Sequence, residues 1–190
     1  MSTVEQPGSN TGLVLGGVAL GSGVLLAFLM LWESSGNPVL IVYADRLAGG
    51  LPTVCDGLTR HVTDTPIVVG QRWTREQCAD ETARAVARVQ ARLRECFAAV
   101  PPQSVFDAAS AHAWNLGVSA TCGSAAMEAW NRGDYRTGCR RLYQSDAGHP
   151  VWSYVRTGRR LANGRPEYRF VRGLQNRRRA ESKLCLRDVA

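Results

Sequence analysis

Residues 12–32 form an uncharged, apolar run of 21 residues, and Glu33 follows it directly. As one helix this run would be about 31 Å long, close to the hydrocarbon thickness of a bilayer. Trp32, at its end, suits the headgroup belt. Gly12, Gly16, Gly17, Gly21 and Gly23 weaken it, because each Gly costs about 1 kcal/mol of helix propensity against Ala and brings no apolar side chain. A cleaved signal peptide calls for a basic start and a small-x-small cut site. No Lys or Arg precedes the run, and its last five residues are Phe-Leu-Met-Leu-Trp. A permanent anchor and an anchor that later leaves the membrane are the readings that remain. The Gly12/Gly16 and Gly17/Gly21 spacings also fit helix dimerisation, but a Gly-rich run produces them by chance. The nearest basic residue is Arg46, so flanking charge does not set the orientation.

The cysteines place the rest of the chain. Cys55, Cys78, Cys96, Cys122, Cys139 and Cys185 all follow the apolar run, and none is in C-x-x-C spacing. An even, dispersed set behind a hydrophobic segment argues for disulfides in an oxidising compartment rather than for zinc, so no metal is expected. Fifteen pairings are open on the residues alone. Residues 1–32 are the candidate anchor, and residues 33–190 are long enough for one folded body. That body carries 23 basic and 15 acidic residues, a formal charge of +8. From Arg136 onward there are 14 basic and 4 acidic residues. Such a surface favours polyanions, among them nucleic acid, anionic lipid and acidic envelope polymers.

The body begins with turn-rich, β-forming sequence. Strands are predicted near 39–44, 52–56 and 66–69, with a turn over 48–52. The chain then becomes helical. Thr74-Arg75-Glu76-Gln77 is a capping-box pattern, and Cys78, Val86, Val89, Leu93, Cys96 and Val100 follow on one helical face. Pro101-Pro102 is expected to end that helix. Further helices are predicted over 104–116, closed by a left-handed Gly117, and over 124–131, 135–145, 151–157 and 166–186, with a loop at 161–165. The order is that of an α+β protein, a small mixed lobe followed by a larger helical one.

Between residues 6 and 63 the only carboxylates are Glu33, Asp45 and Asp56. Hydrolysis of a glycosidic bond needs a protonated acid at the leaving oxygen. It also needs a second carboxylate that activates water or steadies an oxocarbenium-like transition state. Glu33 and Asp45 fit these roles, with Thr53 helping to hold the water. Spacing alone does not choose them, and Asp56 remains an alternative to Asp45. Asn115 reads equally well as a helix-end cap and as a sugar contact. Trp114 reads as core, and Arg177-Arg178-Arg179 as a solvated helix face. His61, His112 and His149 read as core or surface residues rather than catalysts.

Glu33, then Tyr43-Ala44-Asp45, then Thr53-Val54-Cys55-Asp56-Gly57 resembles the catalytic stretch of the phage-type lysozymes, glycoside hydrolase family 24. Trp114-Asn115-Leu116-Gly117 is similar to an aromatic-Asn-x-Gly helix end of that family. Gly173-Leu174 with Arg177, Arg178 and Glu181 is similar to its closing motif. The three matches stand in family order and cover most of residues 33–187.

The resemblance implies a lysozyme-like α+β fold. It also implies a muramidase that hydrolyses the β-1,4 bond between N-acetylmuramic acid and N-acetylglucosamine, with inversion and without cofactor. Glu33 would be the general acid, Asp45 the second carboxylate, Thr53 the water-positioning hydroxyl and Asn115 a substrate contact. Eleven residues separate Glu33 from Asp45 and seven separate Asp45 from Thr53. Both intervals exceed the family's habit, so 34–38 and 48–52 must absorb the excess. Leu58 stands where family members often carry a His.

Family placement also implies Cys55–Cys78 and Cys139–Cys185 disulfides, which leaves Cys96 with Cys122. The weak anchor before Glu33 resembles the signal-anchor-release endolysins. Such a protein would be tethered in the host inner membrane through residues 12–32, then released into the periplasm as a monomer acting on peptidoglycan. A thiol switch inside the anchor is not available, since no Cys precedes Cys55. Nucleic acid is not an expected partner. The alternative is a non-enzymatic, membrane-tethered protein that binds the envelope.

Overall fold

A computed structural model describes residues 14–15, 17–46 and 49–189. Gly12, Leu13 and Gly16 of the apolar run and Ala48 of the predicted turn lie outside them. The apolar run does not form one helix. Val14–Leu15 (β1) and Val18–Ala19 (β2) make a short antiparallel hairpin, and α1 covers only Gly23–Ser34. Gly17 (φ +89°) and Gly21 (φ +59°) turn the backbone through the left-handed region that Gly tolerates. Among the described residues no helix is long and apolar enough to cross a membrane.

This segment is built into the body. Leu25 and Leu29, one helical turn apart, are fully buried against Val86 and Ala111. Val18 and Leu20 join the main core with Leu93, Val105 and Phe106. Burial of each such side chain is worth about 1.5–3 kcal/mol. Polar side chains complete the docking. The Gln103 Oε1 accepts from the Ala19 amide at 2.8 Å, and the Gln90 Oε1 accepts from the Gly21 amide at 2.7 Å. Ser22 caps α1 by accepting from the Leu25 amide, and its hydroxyl donates to Asp107 at 2.8 Å.

The small lobe is an antiparallel sheet of β3 (Val39–Asp45), β4 (Leu51–Cys55) and β5 (Leu58–Thr59), in that order. No strand forms over 66–69, where Val68 and Val69 are exposed. The chain instead turns at Gly70 and runs along the free edge of β3. The Trp73 amide donates to the Leu40 carbonyl at 2.8 Å, and the Val42 amide to the Gln71 carbonyl at 2.9 Å. Burying Trp73 takes the place of burying the valines.

Helix α2 (Arg75–Arg94) opens with the capping box in both directions. It stops before Cys96, well short of Pro101, which leaves Val100 exposed. Helix α3 (Gln103–Leu116) is buried from Ser104 through Ala113, and its alanines let neighbouring helices close around it. Gly117 follows with φ +90° but an extended ψ of 151°, so it redirects the chain rather than closing a left-handed cap. Helices α4 (Val118–Cys122), α5 (Ala125–Asn131) and α6 (Tyr135–Arg141) come next.

The helix predicted over 151–157, and the start of the one at 166, are instead the strands β6 (Tyr154–Arg160) and β7 (Pro166–Phe170) of a hairpin. Asn163-Gly164 turns it, with Gly164 at φ +77°. Helix α7 (Arg172–Cys185) closes the fold. Disulfides Cys55–Cys78, Cys96–Cys122 and Cys139–Cys185 tie the sheet to α2, the end of α2 to α4, and α6 to α7.

Candidate active site

Helix α1 ends immediately after Glu33. Ser35 takes a left-handed φ of +52°, and the Gly36 amide reaches back to the Met30 carbonyl at 3.1 Å. The acid therefore sits on the last turn of a helix whose other face is locked into the core. Across from it, the period of two along a strand sets the sheet's contribution. Tyr43 pairs with Thr53 and Asp45 with Leu51, so Tyr43, Asp45 and Thr53 share one face. Glu33, Tyr43, Asp45, Thr53, Asp56 and Thr59 all line a single cleft of about 540 Å³. The three carboxylates singled out in the sequence thus face one space, together with the Thr53 hydroxyl. Thr53 is buried, and its hydroxyl donates to the Leu51 carbonyl at 3.0 Å. Turns at 35–36 and at 49–50 stand in the two longer intervals.

The Glu33 side chain is only 23% exposed, and Arg177 Nη2 donates to its Oε1 at 2.6 Å. Arg177 also lies 3.4 Å from Glu181 Oε1. The same Glu181 oxygen accepts from Arg178 Nη2 at 2.7 Å, and Arg178 Nη2 reaches Asn115 Oδ1 at 2.8 Å. A continuous charged chain therefore runs from Glu33 through Arg177, Glu181 and Arg178 to Asn115. Arg178 and Glu181 have no exposed surface at all. Burial pushes the Glu181 carboxyl up to about 7, while the charges of Arg178 and Arg177 pull the other way. Burial likewise lowers the Arg178 pKa.

The reading of Arg177-Arg178-Arg179 as a solvated face is corrected here: only Arg179 faces solvent. The signal was present in the sequence. Leu174, Arg177, Arg178, Glu181, Leu184 and Cys185 follow the i, i+3, i+4, i+7 spacing of a buried stripe, and charges placed on that stripe must pair with one another.

Asn115 does not line the cleft. Its carbonyl oxygen is spent on Arg178. Behind the charged chain lies His112, fully buried, with its ring edge-to-face against Trp152 at 5.3 Å. The His112 Nδ1 lies 2.9 Å from the Thr121 hydroxyl, which is also 3.2 Å from the Gly117 carbonyl. Burial, helped by Arg178 and Arg177, drives the His112 pKa down to about 3. His112 is therefore a neutral core residue. Among the described residues no group of His, Cys, Asp and Glu is arranged to hold a metal ion.

Comparison with known proteins bears on this geometry. No curated protein sequence matches the chain. Solved structures share its fold, among them the following three. An endolysin from Escherichia coli O157:H7 phage FAHEc1 superposes with a TM-score of 0.68 at 23% identity, covering 88% of this chain and 94% of its own. The muramidase domain of SpmX from Asticaccaulis excentricus gives 0.65 at 18%, covering 87% and 96%. A mutant of P22 lysozyme gives 0.63 at 20%, covering 87% and 97%. The family described as phage lysozyme matches residues 38–181. That match takes in Asp45, Thr53, Asn115 and the Arg177–Glu181 motif, and it leaves Glu33 just outside. The chain belongs to the phage lysozyme family.

Proposed function

We propose that this lysozyme cleaves peptidoglycan with Glu33 as the general acid. Asp45 is the second carboxylate, and Thr53 holds the attacking water. The observation that carries the reading is the shared cleft of Glu33, Asp45 and Thr53, with Glu33 steadied by Arg177. Because Arg177 engages Oε1, Oε2 is the oxygen left to deliver a proton to the glycosidic oxygen. Asp45, on strand β3 rather than on α1, lines the same cleft and takes the role of activating the water that attacks the sugar carbon. Asp56 lines the same cleft but lies beyond the Tyr43–Thr53 pair, in the turn after β4. Mass analysis of a peptidoglycan digest tests the bond: new reducing ends on N-acetylmuramic acid are expected, and new ends on N-acetylglucosamine would overturn the reading. Asp45→Asn should abolish turnover while Asp56→Asn keeps it, and the reverse pattern would reassign the second carboxylate.

The same reading extends to the membrane. Residues 12–32 tether the new protein in the host inner membrane with the body in the periplasm, and release lets residues 17–34 fold onto the body. Two features support this. The released form buries Val18, Leu25 and Leu29, which recovers the apolar burial lost on leaving lipid. It also satisfies the Ala19 and Gly21 amides with Gln103 and Gln90. While the run lies in the membrane, Glu33 is held at its surface and away from Arg177 and Asp45. Gly12→Leu with Gly23→Leu should hold the protein in the membrane fraction of cells. Gly23 suits this test because a Cβ there meets no atom within 4 Å of the folded body. Release at the wild-type rate would contradict the tether.

A further inference from the structure

The β6–β7 hairpin is unused by the catalytic site, and its surface is unlike the rest of the chain. Residues 154–170 contain Arg156, Arg159, Arg160, Arg165 and Arg169 against one acid, Glu167, a net charge of 5 − 1 = +4. The whole protein carries +7, so these 17 residues hold more than half of it. All seven residues of β6 are exposed. None of the five arginines forms an ion pair with a described carboxylate, and the Glu167 carboxylate is occupied by the Thr157 hydroxyl at 2.6 Å.

The pairing interleaves charge with aromatic surface. Tyr154 faces Phe170, Arg156 faces Tyr168 and Arg160 faces Pro166. Directly paired residues share a face, so three aromatic rings and two guanidiniums stand on the same side. Tyr154, Tyr168 and Phe170 are each 44–59% exposed, and Leu161 is exposed at the tip. Arg156, Arg159 and Arg169 line a concavity of about 750 Å³ with Tyr168 and Phe170. The ribbon has a fixed root. The Val171 amide closes on the Ser153 carbonyl at 2.8 Å, and Ser153 is held by Gln175 of α7.

From this arrangement we propose that the hairpin is a docking element for an anionic phospholipid surface. Its guanidiniums pair with headgroup phosphates, which they match as bidentate donors. Its rings and Leu161 settle into the interfacial layer, where amphipathic aromatic groups are favoured. An acidic polymer in solution satisfies the charges but offers nothing to the exposed apolar side chains. That is why lipid is the occupant the surface fits.

The test uses the full, oxidised chain and vesicle co-sedimentation. Wild type is compared with a hairpin variant, Arg159→Gln/Arg160→Gln/Arg165→Gln. A charge-matched control, Arg75→Gln/Arg92→Gln/Arg132→Gln, changes exposed arginines elsewhere. Wild type should bind phosphatidylglycerol vesicles and leave phosphatidylcholine vesicles alone. Roughly 1 kcal/mol per Arg near an anionic bilayer makes the hairpin variant about 100-fold weaker. The control should move far less, and muramidase turnover should be unchanged in both. The apolar N-terminal run is common to all three proteins and cancels from the comparison of the variants, and the comparison of the two lipids reads the charge-dependent part of wild-type binding. Equal losses in the two variants would overturn the proposal, as would equal wild-type binding to both lipids. So would a hairpin variant that keeps its vesicle binding and loses only its sedimentation with purified peptidoglycan.

Discussion

Two arginine-rich stretches lie close together in the chain and meet opposite fates. In α7, Arg177 and Arg178 are buried and paired to Glu33, Glu181 and Asn115. In the β6–β7 hairpin, five exposed arginines have no ion-pair partner among the described residues. The residue type is the same, so the difference comes from what each element packs against. Helix α7 lies on α3 and α6 and carries its arginines on its inward stripe, where a charge without a partner costs several kcal/mol. The hairpin leaves the body at a fixed root, and both its faces meet water. Arginine count therefore reports neither stability nor binding; the period on which the arginines fall does.

The largest effect should come from opening the buried network. Arg178→Leu leaves the buried Glu181 with only the longer 3.4 Å contact to Arg177, and loss of one partner of a buried pair costs about 3–5 kcal/mol. Urea unfolding monitored by Trp fluorescence would show it. A loss below 1 kcal/mol would mean that the network is wetter than its geometry shows. Next comes the polar socket for the N-terminal segment. Gln90→Leu strands the Gly21 amide and removes the donor to the Ser110 oxygen, which keeps its own bond to the Phe106 carbonyl, and an unpaired buried group costs about 1–3 kcal/mol. The same change should make residues 17–22 more open to proteolysis. Unaltered cleavage there would show that the segment is held by its apolar side chains alone.

The pH dependence is spread over several pH units and has a definite sign. His112 has a folded-state pKa near 3 against an ordinary 6.5. Its neutral form is favoured by folding, so its contribution is fully present above about pH 6.5. It is lost as pH falls toward 3, with a slope of up to about 1.4 kcal/mol per pH unit. His112→Gln should flatten the fall of Tm across that window, and an unchanged slope would place the acid sensitivity elsewhere. The smallest effect belongs to the hairpin. The Arg159/Arg160/Arg165 substitutions should change stability by within about 0.5 kcal/mol per site, as calorimetry can check. A large loss would erase the contrast between the two arginine stretches.

Much of the fold was legible where local chemistry is explicit. The Thr74–Gln77 box starts α2 where the sequence says it should, and α3 runs to Leu116 with Gly117 redirecting the chain. The α+β class and the muramidase family followed from motifs in order along the chain. Other features depend on tertiary partners and were misread. The helix expected over 151–157 gives way to the first strand of a hairpin, whose turn Asn163-Gly164 marks in the sequence. The arginines of α7 looked solvated because charge outweighed spacing. The apolar run looked like one span, but in the folded body its glycines become turns and its leucines become core. Of the proposed site, Glu33, Asp45 and Thr53 were singled out through the family resemblance, and they line one cleft. Arg177 was not singled out as the partner of Glu33, because 144 residues separate them and only the fold joins them.

The most direct test of the whole account is turbidity loss of purified peptidoglycan by the full, oxidised chain, wild type beside Glu33→Gln. Glutamine keeps the size and can still accept from Arg177, but it carries no transferable carboxyl proton. Removal of a general acid lowers turnover by about 10²–10⁴-fold, and that loss is predicted with circular dichroism unchanged. A folded Glu33→Gln protein that clears peptidoglycan at the wild-type rate would contradict the account.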